Sequence, residues 1–285
     1  MKKNFIYLLG MLLIVLTASS CKKEKAGNGT KAVFSYVADG FNVNFTNFST
    51  NATEYRWDFG DGSGISSSLK APQHVFNKKG DFLVSLTAKN GADSSLFVDT
   101  VSIIGPNIKI DGDFTDWQYV PYTHENDAAY GGSILAVKTF ASSTSLNFFF
   151  EGSADMNMEI MDLYIDADNN PATGFSTWLY PAGSGADFLC EGSPAFGWGD
   201  VFKHTGAPTA FSWTPIATFG DVINFSALPV VGGKKTIEFS IKRSALGVIK
   251  NYVNFGIVES TGGWAEVGKL PEAATPTSKF ARIEL

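Results

Sequence analysis

The chain has 285 residues, a formal net charge of −6, 14% aromatic residues and 29 glycines, but only two cysteines. The acidic balance argues against a nucleic-acid partner, and two cysteines cannot provide a disulfide framework. Abundant glycine and aromatic residues without long helical periodicity favour an all-β protein, and the length indicates two domains.

The chain begins with a basic and then apolar segment. Lys2 and Lys3 precede an apolar run from Phe5 to Leu16, and small residues then lead to Cys21. This pattern predicts a secretory signal peptide over residues 1–20. A cysteine directly after small residues resembles a bacterial lipobox, which implies lipidation of Cys21 and a surface-exposed outer-membrane lipoprotein held by its lipid anchor. Ordinary secretion with an incidental cysteine is the alternative.

The segment that starts at Cys21 divides into a polar stretch and a run of short strands. Residues 21–30 are charged and contain glycine, with nothing apolar to bury, which predicts a flexible, lipidated tether. From residue 31 to residue 104, apolar alternations such as Phe41-Val43-Phe45 are broken by glycine, asparagine and aspartate. This spacing predicts an antiparallel β-sandwich.

Two motifs mark this first domain. The hexapeptide "WDFGDG", which starts at Trp57, is followed by "PQHVFNKKGDFLVSLTAKN". Together the motifs resemble the PKD domain over residues 31–104, and the resemblance implies an immunoglobulin-like sandwich that acts as a spacer. Strand alternation predicts that Trp57 and Phe59 enter the core. We expect His74 to be a structural hydrogen-bonding residue.

A second domain is expected over residues 107–285. Its opening "IKIDGDFTDW" and the later "EFSIKRSALG" resemble family 9 carbohydrate-binding modules and related sandwiches. The resemblance implies a larger antiparallel β-sandwich, jelly-roll-like, that binds carbohydrate. The segments that alternate as strands are "ILAVKTF", "LNFFFEG", "MDLYIDA", "ADFLCEG", "AFSWTPI", "KTIEFSI", "YVNFGIVES" and "FARIEL".

The stretch "DLYIDADNNPATGF" places Asp166, Asp168 and Asn170 at alternate positions directly after a predicted strand. Such side chains and backbone carbonyls are the oxygen ligands that calcium prefers. The spacing is like the first half of an EF-hand loop, but Pro171 stands where that loop needs glycine and Thr177 where it needs glutamate. We therefore predict a calcium site of another kind, at the edge of the sandwich.

Two acidic residues on the following strand could complete the ligand shell. Asp187 and Glu191 lie in "GADFLCEG", where Cys190 is predicted to be a small buried residue. The family resemblance implies a structural Ca²⁺ at such a loop, which would stiffen the loops that carry a ligand surface. The alternative is a plain turn, since turns use the same residue types. A turn alone, however, does not require two carboxylates two residues apart.

Four aromatic residues are surrounded by glycine, proline and serine, which predicts loop positions for Trp178, Tyr180, Trp198 and Trp264. A ring with an apolar face and a polar tip suits stacking on the C–H faces of sugar rings. The alternative is that some of these rings cover the ends of the sandwich. Trp117 and Trp213 lie in strand-like contexts and are predicted to be core residues.

The sequence gives little support for catalysis. A glycosidase needs two carboxylates that face each other across a cleft, and no pair here carries a recognisable motif. The three histidines are His74, His124 and His204, and none is spaced with another for a metal site. Nucleophile-elbow, P-loop and zinc-protease motifs are missing from the sequence. We predict that the protein is not an enzyme.

The sequence therefore predicts a lipoprotein that binds polysaccharide or oligosaccharide through its C-terminal sandwich, with the PKD domain as a spacer. A neighbouring transporter or glycan-degrading enzyme is the expected partner. The alternative is an adhesion or assembly subunit that binds another protein, with the loop aromatics inside the interface.

Overall fold

The computed structural model describes residues 29–272 and 276–285. The predicted signal peptide, the lipidation site Cys21 and nearly all of the tether lie outside the described residues. Antiparallel strands dominate the described chain, which confirms the all-β prediction. Among these residues, no helix has the length and the apolar character required to span a bilayer.

The first domain is a two-sheet sandwich. Its strands are β1 (Phe34–Asp39), β2 (Asn42–Asn47), β3 (Glu54–Asp58), β4 (Ser66–Ser67), β5 (Gln73–Val75), β6 (Gly80–Asn90) and β7 (Asp93–Ile103). They form one sheet in the order β1-β2-β5 and another in the order β4-β3-β6-β7, which is an immunoglobulin-like arrangement.

The core of this domain confirms the strand alternation. Trp57 and Phe59 are buried. The Nε2 atom of His74 lies 2.7 Å from the Oδ2 atom of Asp61, and its ring stacks on Phe59 with 3.9 Å between the centroids. His74 is therefore a structural residue, as predicted.

The second domain is a larger sandwich of two antiparallel sheets. Its strands are β8 (Tyr122–Glu125), β9 (Ile134–Ala141), β10 (Ser145–Gly152), β11 (Ile160–Asp166), β12 (Phe188–Ser193), β13 (Trp198–His204), β14 (Trp213–Thr218), β15 (Ile223–Phe225), β16 (Val230–Val231), β17 (Lys234–Lys242), β18 (Tyr252–Ser260), β19 (Glu266–Leu270) and β20 (Ala281–Glu284). The described part of this domain also has one α-helical turn, α1 (Phe219–Val222), and three 3₁₀ turns, of which Phe114–Trp117 precedes β8 and Ala128–Tyr130 and Arg243–Leu246 lie between strands.

The two sheets differ in size. The six-stranded sheet has the order β15-β17-β10-β9-β8, with β16 beside β17, and the seven-stranded sheet has the order β14-β13-β12-β11-β18-β19, with β20 beside β18. Apolar side chains from both sheets fill the space between them, among them Phe148, Phe239, Leu163 and Phe255. Cys190 is buried in this core, as predicted, and burial raises the pKa of its thiol to about 12.

A buried carboxylate fixes the opening of the second domain. Glu238, on β17, is fully buried. Its Oε1 atom accepts hydrogen bonds from the backbone N–H groups of Asp111 at 3.0 Å and Gly112 at 2.8 Å, and its Oε2 atom accepts one from the Trp117 indole at 2.8 Å. The Trp117 ring stacks on Phe149 of β10. The "IKIDGDFTDW" and "EFSIK" segments are thus two sides of one interaction.

The two domains are in direct contact. The rings of Phe41 and Phe140 lie 6.0 Å apart, and the Lys79 ammonium donates to the Ala141 carbonyl at 2.9 Å. Gly105, between the domains, has a φ of 82°, and a Cβ atom there would lie 2.4 Å from the Phe140 ring. Phe140 and Trp117 belong to the same apolar cluster as the first-domain core. The first domain therefore packs on the side of the sandwich that carries Trp117.

We expect Glu238→Gln to lower the free energy of unfolding by about 1–3 kcal/mol, because an amide N–H₂ group would then face one of the three buried donors. Urea denaturation measures the change. The matched control is Glu284→Gln, an exposed position on β20, where a change within about 0.5 kcal/mol is expected. Equal stability of the two variants would contradict the role assigned to Glu238.

Candidate ligand groove and acidic loop

The loop after β11 brings three acidic side chains together. Asp166 ends β11, Asp168 lies two residues later, and Asp187 immediately precedes β12. Each offers a carboxylate oxygen, and these oxygens lie within 4.8 Å of one another. The structure therefore places three of the five predicted metal ligands in one cluster.

Internal hydrogen bonds orient this cluster. Asp187 Oδ2 accepts from the backbone N–H groups of Ala167 at 2.9 Å and Asp168 at 3.1 Å. Asp166 accepts from the Asn169 N–H at 2.8 Å and from the Asn254 amide at 2.9 Å. Burial nevertheless raises the pKa of Asp166 and of Asp187, and the neighbouring carboxylates add to the increase. The arrangement concentrates negative charge in a partly desolvated loop.

The other two predicted ligands lie differently. Asn170 caps the turn, because its Oδ1 atom accepts from the Ala172 N–H at 3.2 Å. Glu191 is four residues beyond Asp187, which corresponds to about 13 Å along an extended strand, and it pairs with Asp162 of β11 instead. The expectation that Glu191 completes the metal shell is therefore corrected. Asn169, which the sequence did not single out, has a buried Oδ1 atom without a hydrogen-bond partner among the described residues.

The end of the loop leads into an aromatic cluster. Phe175 pairs with Ala186 across the loop. Its ring contacts Trp178, Phe211 and Trp213, with centroid distances of 6.1 Å, 5.4 Å and 5.7 Å. The end of the acidic loop is therefore in direct contact with Trp178.

A groove of about 340 Å³ lies on the outer face of the seven-stranded sheet, the face turned away from the core. Asp162, Glu191 and Ser260 contribute polar groups to it, and Trp178 and Trp264 contribute aromatic rings. Tyr164, Leu179, Phe211, Val258 and Glu266 complete the lining. The groove thus combines aromatic surface with hydrogen-bonding oxygens.

The predicted ligand-binding aromatics separate into three groups. Trp178 and Trp264 line the groove with 71% and 57% of their surfaces exposed. Trp198 is 51% exposed at the start of β13 but lies outside the groove lining. Tyr180 is buried, and its hydroxyl donates to the Pro271 carbonyl at 2.6 Å. The expectation that Tyr180 presents a ring to ligand is therefore corrected: its polar tip finds a carbonyl inside the protein.

Trp264 occupies an unusual backbone position. Its φ is 66°, in the left-handed region that favours glycine and is costly for bulky residues. The residue belongs to the turn between β18 and β19, where its N–H donates to the Thr261 carbonyl at 2.8 Å. A non-glycine residue at such a position costs conformational free energy, and backbone strain of this kind recurs at functional sites.

Acidic side chains lie opposite one another in the seven-stranded sheet. Asp162 of β11 pairs with Glu191 of β12, which pairs in turn with Asp200 of β13. Burial raises the pKa of Asp162 to about 7, and the charge of Glu191 adds to this effect; burial also raises the pKa of Glu191. Like charges placed directly opposite destabilise a sheet, so a proton or a cation between these two carboxyl groups would stabilise this part of it.

This pair was missed in the sequence, although a signal was present. Asp162 and Glu191 alternate with apolar residues in two strands that the pattern correctly predicted, so both face outwards. Alternation within a single strand does not reveal that these two strands are neighbours. It also does not reveal the register that places Asp162 opposite Glu191.

A second cleft, of about 370 Å³, lies near the junction of the domains. Its carboxylates serve the backbone of the opening segment: Asp111 accepts from the Asp113 N–H, Asp113 from the Thr115 N–H, and Asp116 from the Lys109 N–H. These hydrogen bonds account for three of the four aspartates that line the cleft; the fourth is Asp39.

The family model described as the PKD domain matches residues 28–100. The PKD1 domain of the Vibrio cholerae metalloprotease PrtV is 30% identical over 26% of this chain and 96% of its own length, with a TM-score of 0.25. The PKD1 domain of Vibrio anguillarum Epp is 29% identical over 27% of this chain and 96% of its own, with a TM-score of 0.26.

One solved structure aligns with both domains. It is described as a carbohydrate-binding module of the β-sandwich superfamily with promiscuous specificity, and it covers 80% of this chain and 95% of its own length at 14% identity and a TM-score of 0.25. That likeness is too low to carry an argument about ligands. A search of curated proteins finds no match. The family match, at the residues that carry the "WDFGDG" motif, establishes that the N-terminal part of this chain is a PKD domain.

Proposed function

We propose that the groove on the seven-stranded sheet binds a saccharide, and that this is the function of the second domain. The observation that carries the proposal is the placement of Trp178 and Trp264, two largely exposed rings, in one groove with the oxygens of Asp162, Glu191 and Ser260. The volume of about 340 Å³ lies within the range of small-molecule pockets.

The chemistry of the lining suits a sugar ring. The C–H faces of a pyranose are apolar and stack on indole rings, which otherwise remain in water here. The equatorial hydroxyl groups are donors, and Asp162 and Glu191 offer carboxylate oxygens as acceptors. Aromatic contact alone would bind many apolar ligands, so the combination of rings and acceptors favours a saccharide.

We propose binding rather than cleavage. Glycoside hydrolysis by paired carboxylates requires a separation of about 5–9.5 Å, so that a nucleophile or a water molecule fits beside the sugar. Asp162 and Glu191 lie directly opposite each other on neighbouring strands, where the Cβ atoms are about 4.5–5.5 Å apart. Two carboxyl groups side by side on one face of a sheet can hold a ligand, but they do not face each other across a glycosidic bond.

We further propose that Asp166, Asp168 and Asp187 hold a calcium ion. Their oxygens cluster within 4.8 Å, and the unpartnered Oδ1 atom of Asn169 offers a neutral oxygen of the type that calcium binds. The ion would neutralise the clustered carboxylates when bound. The residues of the loop would then hold Phe175, and through its ring contact Trp178, in place.

The wider setting of the groove is also a proposal. Lipidation at Cys21 would anchor the chain to the outer membrane with the groove exposed at the cell surface, near a glycan transporter or a glycan-degrading enzyme. The PKD domain would act as a spacer. Its contacts with Phe140 lie on the side of the second domain away from the groove, which supports this role because the groove stays accessible.

We expect Trp178→Ala and Trp264→Ala each to weaken saccharide binding about tenfold or more, since each removes a ring from the contact. Affinity electrophoresis in gels cast with a panel of glycans measures the loss as reduced retardation. Phe48→Ala, which removes a ring of similar exposure from the first domain, should leave retardation unchanged. No retardation on any glycan, together with a co-purifying protein, would favour the adhesion or assembly alternative.

We expect Trp264→Gly to be more stable than Trp264→Ala by about 1 kcal/mol, because glycine adopts a positive φ without the cost that a Cβ atom brings. Both variants remove the ring, so both should lose saccharide binding equally. Urea denaturation provides the stability difference. If the alanine variant were the more stable, the backbone strain assigned to this turn would be wrong.

We expect millimolar calcium to raise the thermal unfolding midpoint of the purified protein by several degrees relative to EDTA. The shift should disappear in Asp166→Asn/Asp168→Asn and persist in Asp155→Asn, an exposed acidic residue outside the loop. If the wild-type protein melts at the same temperature in both buffers, the loop is a hydrogen-bonded turn and not a metal site.

A further inference from the structure

The floor of the groove, formed by Asp162 and Glu191, carries acidic groups that a neutral sugar does not require. Asp162 and Glu191 lie side by side in the lining, and Glu266 lies at its edge. Lysine, arginine and histidine are missing from the lining residues in the described part of the chain. Lys269 forms an ion pair with Glu266, and Asp162 and Glu191 have no cationic partner among the salt bridges of the described residues.

A second observation shows that this floor lacks a donor. The Oδ1 atom of Asp162 is buried and has no hydrogen-bond partner in the described structure. A buried carboxylate oxygen without a donor is costly, and proteins normally pair such atoms. That atom is itself covered, but Asp162 lines the groove, so a donor on a ligand meets the carboxyl group from its groove-facing side.

We propose that the groove selects saccharides that carry a protonated amine, with the ammonium group donating hydrogen bonds to Asp162 and Glu191 while the indole rings of Trp178 and Trp264 contact the sugar. This inference rests on the proposed saccharide function and specifies the class of saccharide. Asp162 and Glu191 are then the residues that determine specificity.

Three physical effects favour an amine over a neutral or acidic group. An ammonium group has several N–H donors and forms charge-assisted hydrogen bonds, which are about twice as strong as neutral ones. Trp178, Trp264 and Phe211 add aromatic faces, which attract cations. A uronic acid or a sulfated sugar would bring a further negative charge to this acidic pair, and such like-charge contacts are an effective means of excluding a ligand.

The test compares two ligands that differ only at nitrogen. Penta-N-acetylchitopentaose is neutral, and its fully de-N-acetylated form carries amines on the same backbone. Calorimetric titration of the purified protein with each, at neutral pH and moderate salt, should give at least about tenfold tighter binding for the amine form, the effect expected of one charge-assisted hydrogen bond. A pentagalacturonate of similar length should not bind.

Matched variants assign the preference to the floor. Asp162→Asn and Glu191→Gln keep the shape of the side chains and remove the charge, so each should reduce the preference for the amine form towards unity. Glu125→Gln removes the same charge from an exposed position on the six-stranded sheet and should leave the preference unchanged. Thermal melts confirm that each variant is folded, and Glu191→Gln serves if Asp162→Asn is not.

The possible outcomes separate the two proposals. Equal binding of the neutral and amine forms would overturn the specificity inference and leave the saccharide function intact. If neither form binds and no neutral glycan is retarded, the saccharide function fails and the inference fails with it. A preference that survives in both floor variants but falls in Glu125→Gln would reflect the overall charge of the protein, which also overturns the inference.

Discussion

The arrangement of the chain depends on the hydrogen bonds that the buried Glu238 carboxylate accepts. A buried charge is tolerated only when donors satisfy it, and here two backbone N–H groups and the Trp117 indole do so. These hydrogen bonds hold the opening segment of the second domain against the six-stranded sheet, where Trp117 stacks on Phe149. The apolar surface created in this way joins the core of the PKD domain. The face of the six-stranded sheet therefore holds the two domains together.

The alternation of side chains along each strand leaves the opposite face available. In the seven-stranded sheet, Leu163 and Cys190 point into the core, while Asp162 and Glu191 point outwards into the groove. The residues that stabilise the fold and those that face a ligand are thus adjacent in sequence but separated by a layer of packed apolar side chains. Loops then add the aromatic rings at the margin of that outer face, where Phe175, at the end of the acidic loop, contacts Trp178.

Local sequence patterns predicted those structural features that depend only on residues close together in the chain. The burial of Trp57 and Phe59 followed from alternation, and the grouping of Asp166 with Asp168 followed from their spacing. Features that depend on register or on distant contacts were not predictable in this way. Glu191 was assigned to the metal cluster because its strand returns beside the loop, but the rise along an extended strand carries it to Asp162. Tyr180 resembled an exposed loop residue because the carbonyl that accepts its hydroxyl, at Pro271, lies far along the chain.

The distribution of the six tryptophans has an optical consequence. Trp57 and Trp117 are fully buried, Trp213 is partly buried within an aromatic cluster, and Trp178, Trp198 and Trp264 are exposed. Indole emission shifts to shorter wavelength when water is removed from the ring, so the exposed rings contribute most to the red side of the spectrum. Trp178 and Trp264 are therefore fluorophores at the groove itself. A ligand that covers them would shift the emission to shorter wavelength. Unfolding would expose Trp57 and Trp117 and shift the emission to longer wavelength.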